Sequence, residues 1–421
     1  MNHLSYDKGT GEEANWLICE NLFDERFLGK CEAIFCQGNG YLGVRHALEE
    51  EYTSETRNMF VTGTFNKFHD NEVTELPNFP DVTKMVFMIN GRPFTLLRGT
   101  ILHYNRVMNL KNGEVVREVD WRDPEGNEIR FRFARIVSMA DEHVIAARVK
   151  ATPLNGDVQI KLVSGIDGTV SNSGAQHFCE GDKRLYDYKY LEMVSRTVQS
   201  GVTAGIYTTH RFLMDGQETM PKLLPIMVRR EIKISAQLSV QKGQTLTIEK
   251  LSAVYTSRDR AYSDRTDEES VIADVKKSGL EKVTQLWRSG YSEVLAESEA
   301  SWAEIWSRED VKIDSRNPFD QLAVRFSIYH LNIMVKRDDN RVGIGAKALT
   351  GEGYKGHSFW DTEVFILPYY LLTEPGTAKT LLEYRYRNLY GARKKAKEYG
   401  YEGAMYPWEA AWITDGEVTP I

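Results

Sequence analysis

The hydrophobic pattern of this chain changes period once, near residue 267, and that change constrains the fold more than any other feature. Before it, apolar and basic residues alternate with period two, as in IRFRF at 129–133. After it, DEESVIADVKKSGLEKVTQLW opens with acidic residues and continues at helical spacing. The sequence therefore predicts β structure first and helices afterwards.

Turn signals divide the first part of the chain into short strands. They include Asn90-Gly91, Asn112-Gly113 and the DPEGN turn at 123–127. Strand-like runs such as VQIKLVSGI and QTLTIEKLSAVY follow. Many short strands with close turns are typical of an antiparallel β-sandwich. We expect this N-terminal sandwich domain over residues 1–266.

The second part predicts a helical linker over residues 267–317, interrupted at Ser289-Gly290. Helical hairpins are expected from Pro318 onward, with FDQLAVRFSIYHLNIMV as a buried helix. A longer helix is predicted from Pro375 to Gly400, because basic residues gather late and a glycine ends it. The chain is thus predicted to be multidomain, with a third region over 318–421.

Composition excludes several classes of function. The 421 residues carry 53 basic and 60 acidic side chains, a net charge of −7, without a basic block. Nucleic acid and an anionic membrane are therefore not expected as partners. No secretory signal is expected from the polar start and no membrane span from the apolar runs, which predicts a cytoplasmic protein. Four cysteines without CxxC spacing predict reduced thiols and no metal.

The stretch GHSFWDTEVF at 356–365 places large aromatic rings beside carboxylates. A packed core resists unpaired charges, and a solvated surface has little use for the rings. A sugar satisfies both, because its C–H faces stack on rings and its hydroxyls bind carboxylates. The alternative is a helix start, with Asp361 in the first turn and Trp360 packed in the core.

Three other features, two of them within this stretch, favour structural interpretations. Glu363 lies two residues after Asp361, so on a helix it would face elsewhere and act through the helix dipole or a neighbour. His357 has no second histidine at i+4 and is expected to be a hydrogen-bonded structural residue. GNGYLG at 38–43 has GxGxxG spacing but no βαβ context, which predicts a turn in the sandwich.

Four phrases in order resemble the family 65 glycoside hydrolases, the maltose, trehalose, kojibiose and nigerose phosphorylases. They are QGNGYLGVRHALEEEY, ELPNFPD, GAKALTGEGYKGHSFWDTEVFILPYY, and YRYRNLYGARKKAKEYGYEGAMYPWEAA with the DGEVTP that follows. The resemblance implies a β-sandwich, a helical linker and an (α/α)₆ barrel, of which 318–421 would be the N-terminal part. It further implies inverting phosphorolysis of an α-glucosyl disaccharide to β-glucose 1-phosphate. Inorganic phosphate would be the co-substrate, without metal or organic cofactor, and the full-length protein is expected to be a homodimer.

The resemblance also assigns residues. Trp360 and Asp361, beside Phe359, match the pair that holds the nonreducing glucose. Trp408 and Glu409 match the loop that borders the acceptor sugar, and Glu417 falls in the acceptor-selecting loop. The family's general acid belongs to a DEYHE-type segment, which we expect beyond Ile421. This chain alone is therefore expected to lack the catalytic residue and to be inactive.

Two other functions stay open at this stage, together with the choice of disaccharide. One is an inverting α-glucoside hydrolase of the same fold, and the other is a non-catalytic, truncated sugar-binding protein. Glu409 occupies a position where maltose- and trehalose-type members of the family carry a basic residue. A carboxylate there favours a nigerose- or kojibiose-like acceptor.

Overall fold

The structure is a computed structural model of the chain and describes residues 3–412. Its strands are β1 (Leu4–Ser5), β2 (Leu17–Glu20), β3 (Gln37–Gly38), β4 (Leu42–Val44), β5 (Met59–Val61), β6 (Met85–Ile89), β7 (Arg92–Pro93), β8 (Thr100–Asn109), β9 (Val115–Arg122), β10 (Glu128–Val137), β11 (Val144–Pro153), β12 (Val158–Asp167), β13 (Asp182–Tyr186), β14 (Tyr190–Arg196), β15 (Thr203–Met214), β16 (Gln217–Thr219), β17 (Leu224–Val228), β18 (Glu231–Val240), β19 (Leu246–Thr256), β20 (Ser358–Phe359) and β21 (Glu409–Ala410). Its α-helices are α1 (Leu28–Ile34), α2 (Glu268–Glu309), α3 (Pro318–Met334), α4 (Leu367–Thr373), α5 (Pro375–Arg387) and α6 (Leu389–Glu398).

Two antiparallel sheets form the predicted β-sandwich. The larger has eleven strands in the order β1-β2-β8-β9-β10-β11-β19-β15-β14-β13, with β16 paired to β15, and the smaller has the order β17-β18-β12-β6-β7. Alternate residues of β9 and β6 are buried, as period-two patterning requires for strands with one face on the core. Aromatic rings such as Phe87, Phe131 and Phe133 pack between the sheets. The predicted sandwich and the helical region that follows it are confirmed.

The helical linker is a single long helix with one interruption. Asp267 caps the start of α2 by accepting a hydrogen bond from the Ser270 backbone N–H. Gly290 has φ 73° and ψ 177°, so it breaks the helical path where the sequence predicted an interruption. Near this point α2 lies against the larger sheet, because a side chain on Gly290 would meet Arg211 and Glu249.

The helix predicted from Pro375 to Gly400 is wrong in one respect, since the structure divides it into α5 and α6. Asn388 lies between them, and its side-chain amide donates to the Tyr384 carbonyl at 2.9 Å. Asparagine side chains compete for backbone groups in this way and interrupt helices. Basic residues late in the run indicated a helix end but did not locate the break.

The GNGYLG segment forms a hairpin, but not in the two large sheets. Strands β3 and β4 pair with each other and β5 pairs with β4, giving a separate three-stranded sheet. Gly40 has φ 87°, and its N–H donates to the Ile333 carbonyl at 2.9 Å. The predicted turn is confirmed, and its placement within the sandwich is corrected: it packs against the end of α3.

Among residues 3–412, every helix is either too short or too polar to cross a bilayer. The domain boundaries at 266/267 and 317/318 stay predictions, as does closure of the helices into an (α/α)₆ barrel.

Replacing Gly40 with alanine should destabilise the fold more than the same change at Gly91. Both glycines have positive φ (87° and 82°), which costs about 1–2 kcal/mol for a residue with a Cβ. At Gly40 the added Cβ would also lie 1.9 Å from the Val335 carbonyl oxygen, whereas nothing lies within 4 Å at Gly91. Thermal unfolding of Gly40→Ala and Gly91→Ala measures the difference. Equal midpoints would show that the hairpin does not press on α3.

Candidate functional site

A two-residue ladder joins the two segments that carry the candidate site. Strand β20 pairs with β21 in antiparallel register, so that Ser358 faces Ala410 and Phe359 faces Glu409. Such short strands have no periodic sequence pattern, so the sequence does not predict them. The ladder brings the FWDTE segment and the YPWEAA segment side by side.

Aromatic rings collect around this ladder. The ring centroids of Trp360 and Trp408 are 4.9 Å apart at an interplanar angle of 87°, and those of Phe359 and Trp408 are 5.5 Å apart at 80°. Phe359 is buried, whereas Trp360 and Trp408 are each 45% exposed. Edge-to-face contacts of this kind hold rings in place while leaving one face open. The alternative in which Trp360 fills the core is therefore not supported.

Asp361 is exposed and directly follows the exposed Trp360. It precedes a π-helical turn, Thr362–Ile366, that leads into α4, and its side chain makes no capping hydrogen bond. A carboxylate that served the helix start would be expected to accept from its backbone N–H groups. The pair predicted to hold the nonreducing glucose thus presents a ring face and a carboxylate to solvent.

Glu363 does not lie away from this pair, contrary to the sequence-based expectation. Together with Trp360, Arg385 and Tyr406 it lines a cavity of about 440 Å³. Its Oε1 accepts a hydrogen bond from Arg385 Nε at 2.6 Å. The wider π-helical turn changes the direction of successive side chains, and such turns are frequent at functional sites.

His357 is fully buried and hydrogen-bonded, as predicted. Its Nδ1 lies 2.8 Å from Glu409 Oε2, and its Nε2 lies against the Thr74 carbonyl oxygen. Both neighbours offer oxygen atoms, so the ring is held between the Glu409 side chain and the backbone of Thr74. Glu409, predicted to meet the acceptor sugar, is therefore held by a side chain that also contacts the sandwich domain.

The ELPNFPD segment supports the loop beneath the site. The Leu76 N–H donates to the Lys355 carbonyl at 2.9 Å, and Glu75 accepts from His177 at 3.1 Å and from Lys355 at 3.2 Å. Burial opposes ionisation of Glu75, but the His177 hydrogen bond and the Lys355 charge lower the pKa of its carboxyl. Glu75 is thus an anionic anchor for the turn that precedes His357.

Sequence analysis missed two residues of the cavity, Arg385 and Tyr406. Arg385 lies in YRYRN, where late basic residues were explained by the helix dipole, and Tyr406 precedes the YPWEAA proline by one position. Glu417 lies outside the described residues. Open aromatic faces beside carboxylates and a guanidinium are suited to binding a polyhydroxylated ring.

Within residues 3–412, the potential metal ligands of His3, Glu20 and Cys31 lie within 4.8 Å of one another. Glu20 already accepts from Arg106 at 2.7 Å and from Tyr104 at 2.6 Å. Burial, followed by the Glu20 charge, raises the pKa of the Cys31 thiol to about 12, which disfavours the thiolate that metals bind. We interpret this group as a hydrogen-bonded core cluster, and metal independence stays a prediction.

Comparison with protein families identifies the class of protein. Residues 18–305 match the N-terminal domain of glycosyl hydrolase family 65, and residues 325–421 match the central catalytic domain of the same family. The chain belongs to glycosyl hydrolase family 65. The resemblance carried by the four sequence phrases is confirmed.

Two curated relatives show which members of the family this chain is similar to. A kojibiose phosphorylase of Halothermothrix orenii is 42% identical over 99% of this chain and 53% of its own length. A kojibiose phosphorylase of Escherichia coli is 35% identical over 94% of this chain and 50% of its own length. Trehalose and nigerose phosphorylases also match. The chain spans about half the length of the curated relatives it matches.

A solved structure, described as a candidate kojibiose phosphorylase from the human microbiome, has the same fold. It superposes with a TM-score of 0.86 at 19% identity, over 99% of this chain and 53% of that one. At 19% identity, this similarity is evidence for the fold alone.

Replacing His357 with alanine should lower stability by about 1–3 kcal/mol, because the buried Thr74 carbonyl and the partly buried Glu409 side chain would each lose a hydrogen-bond partner. The exposed His69 provides the matched control, since His69→Ala should change stability by less than about 0.5 kcal/mol. Thermal unfolding followed by tryptophan fluorescence compares the two variants. A His357→Ala midpoint equal to that of the control would refute the positioning role of His357.

Proposed function

We propose that the protein containing this chain is an inverting phosphorylase of α-glucosyl disaccharides. The observation that carries the proposal is the open Trp360–Trp408 aromatic pair beside Asp361, in a chain that belongs to family 65. Its curated relatives are named as phosphorylases of such disaccharides. A ring face and an adjacent carboxylate are what binding of the nonreducing glucose requires.

The chemistry assigns simple tasks to these residues. Inversion needs one carboxylic acid to protonate the leaving oxygen and a nucleophile on the opposite face of the sugar ring. When inorganic phosphate is the nucleophile, a second carboxylate acting as a base is not required. Asp361 would accept hydrogen bonds from glucose hydroxyls. Trp360 would pack against the glucose ring, so that the anomeric carbon of the sugar is held for in-line attack.

A hydrolase of the same fold is the second candidate, because water could replace phosphate in an inverting reaction. Incubating the longest protein that the gene encodes with kojibiose, nigerose, maltose and trehalose, with and without phosphate, separates the two. We expect β-glucose 1-phosphate to form only when phosphate is present, as observed by NMR of the first product. Release of free glucose at the same rate without phosphate would reject the phosphorylase proposal.

Asp361→Asn should lower kcat/KM in that assay by about 10- to 150-fold, the effect of weakening hydrogen bonds to a charged group. The exposed Asp314 gives a matched control, because Asp314→Asn removes an equal charge from the linker segment. Activity of Asp361→Asn equal to that of Asp314→Asn would exclude Asp361 from sugar binding.

We further propose that the acceptor is bound in a kojibiose- or nigerose-like mode, with Glu409 as a hydrogen-bond acceptor. Synthesis from β-glucose 1-phosphate and glucose should then give α-1,2 or α-1,3 linkages, and Glu409→Ala should broaden the product mixture. A site built to bond a hydroxyl rejects acceptors that cannot supply it. A mainly α-1,4 product, or an unchanged mixture from Glu409→Ala, would show that another residue selects the acceptor.

A homodimeric assembly and a cytoplasmic location stay predictions from the sequence. Glu417 is also proposed as an acceptor residue on the family resemblance alone.

A further inference from the structure

Arg385 is buried in the wall of the cavity with much of its hydrogen-bonding capacity unused. The residue is 8% exposed, and its Nε donates to Glu363 Oε1 at 2.6 Å. Its Nη1 and Nη2, and also Glu363 Oε2, are buried without a hydrogen-bond partner among the described residues. Leaving a buried polar group unpaired costs about 1–3 kcal/mol, and more when the group is charged. The arrangement therefore leaves two donor nitrogens and one acceptor oxygen without a partner among the described residues, on two side chains that line the cavity.

The walls of the cavity indicate the chemistry of that ligand. Trp360 and Tyr406 are 45% and 38% exposed and offer apolar surface beside the ion pair. A hydroxyl group can accept from the guanidinium and donate to the carboxylate at the same time. An anion could accept from Arg385 but would be repelled by Glu363. A neutral ligand with neighbouring hydroxyls satisfies all three free positions.

We propose that the Glu363–Arg385 pair binds neighbouring hydroxyl groups of the glucosyl unit and so determines which sugar the site accepts. The inference rests on the proposed function, since it takes the sugar beside Trp360 as its ligand. It adds two specificity-determining residues that the sequence pattern had not associated with the site. Arg385 comes from α5 and Glu363 from the π-helical turn, so the pair is built from separate elements that pack together.

The test measures binding of methyl α-glucoside and its 2-, 3-, 4- and 6-deoxy analogues to the longest protein that the gene encodes. Wild type should lose about 10- to 100-fold in affinity for at least one analogue, because a missing hydroxyl leaves charged partners unpaired. The affinity of Glu363→Gln and of Arg385→Lys for methyl α-glucoside should be lower than that of wild type by a similar factor. Both variants should bind that deoxy analogue as wild type does, since the contact is already absent.

Arg387→Gln is the matched control, because Arg387 is exposed and lies at the end of the same helix. It should retain wild-type affinity and discrimination, and unfolding midpoints of all variants report whether they fold. Should a variant fail to fold, the deoxy scan of wild type decides alone, and losses below threefold for all four analogues overturn the inference.

Other outcomes distinguish failure of this inference from failure of the proposed function on which it rests. Variants that keep wild-type affinity and discrimination overturn the role of the pair while leaving the sugar site intact. Inorganic phosphate that competes with the glucoside in wild type but not in Arg385→Lys would make the pair an anion site, and the inference would be wrong. A wild-type protein that binds no glucoside overturns both the inference and the sugar-binding part of the proposed function.

Discussion

The candidate site depends on close contact between backbone of the sandwich domain and backbone of the helical region. Gly40 donates to the Ile333 carbonyl, and a Cβ on Gly38 would lie 3.0 Å from the same oxygen. Side chains would hold these segments apart, so only glycine permits the approach. The contact fixes the end of α3, and the loop that carries the FWDTE segment follows from there. The three-stranded sheet β3–β5 of the N-terminal region is therefore part of the construction of the site.

The loop itself is held in a conformation that it would not adopt alone. Tyr354 and Lys355 both have φ 55°, in the left-handed region that costs about 1–2 kcal/mol per residue with a Cβ. The Leu76–Lys355 backbone hydrogen bond and the Glu75–Lys355 ion pair oppose that cost. Gly356 follows with φ 76°, where a Cβ would lie 2.4 Å from Leu76. Strain offset by contacts with another domain is typical of positions that serve function.

Local features of the fold could be predicted from the sequence, and long-range ones could not. The turn at Asn90-Gly91 and the break at Gly290 were predictable because each depends on the φ preference of its own residue. The pairing of β20 with β21 joins residues about fifty positions apart through two-residue strands, which leave no periodic pattern. Glu363 was misplaced because helical spacing was assumed where the backbone forms a π-helical turn. The sequence was enough to propose the site residues, but not to predict which residues contact them in the fold.

The same long-range contacts bear on how one family can serve several disaccharides. Glu409 is fixed by His357, whose other nitrogen donates to Thr74 in the sandwich domain. A carboxylate oxygen has further lone-pair capacity, so this bond orients Glu409 without excluding a sugar hydroxyl. Selection among acceptors would then depend on the position of a fixed carboxylate rather than on its charge alone. If Glu409 binds the acceptor sugar as proposed, a change at His357 alters acceptor choice without contacting the sugar.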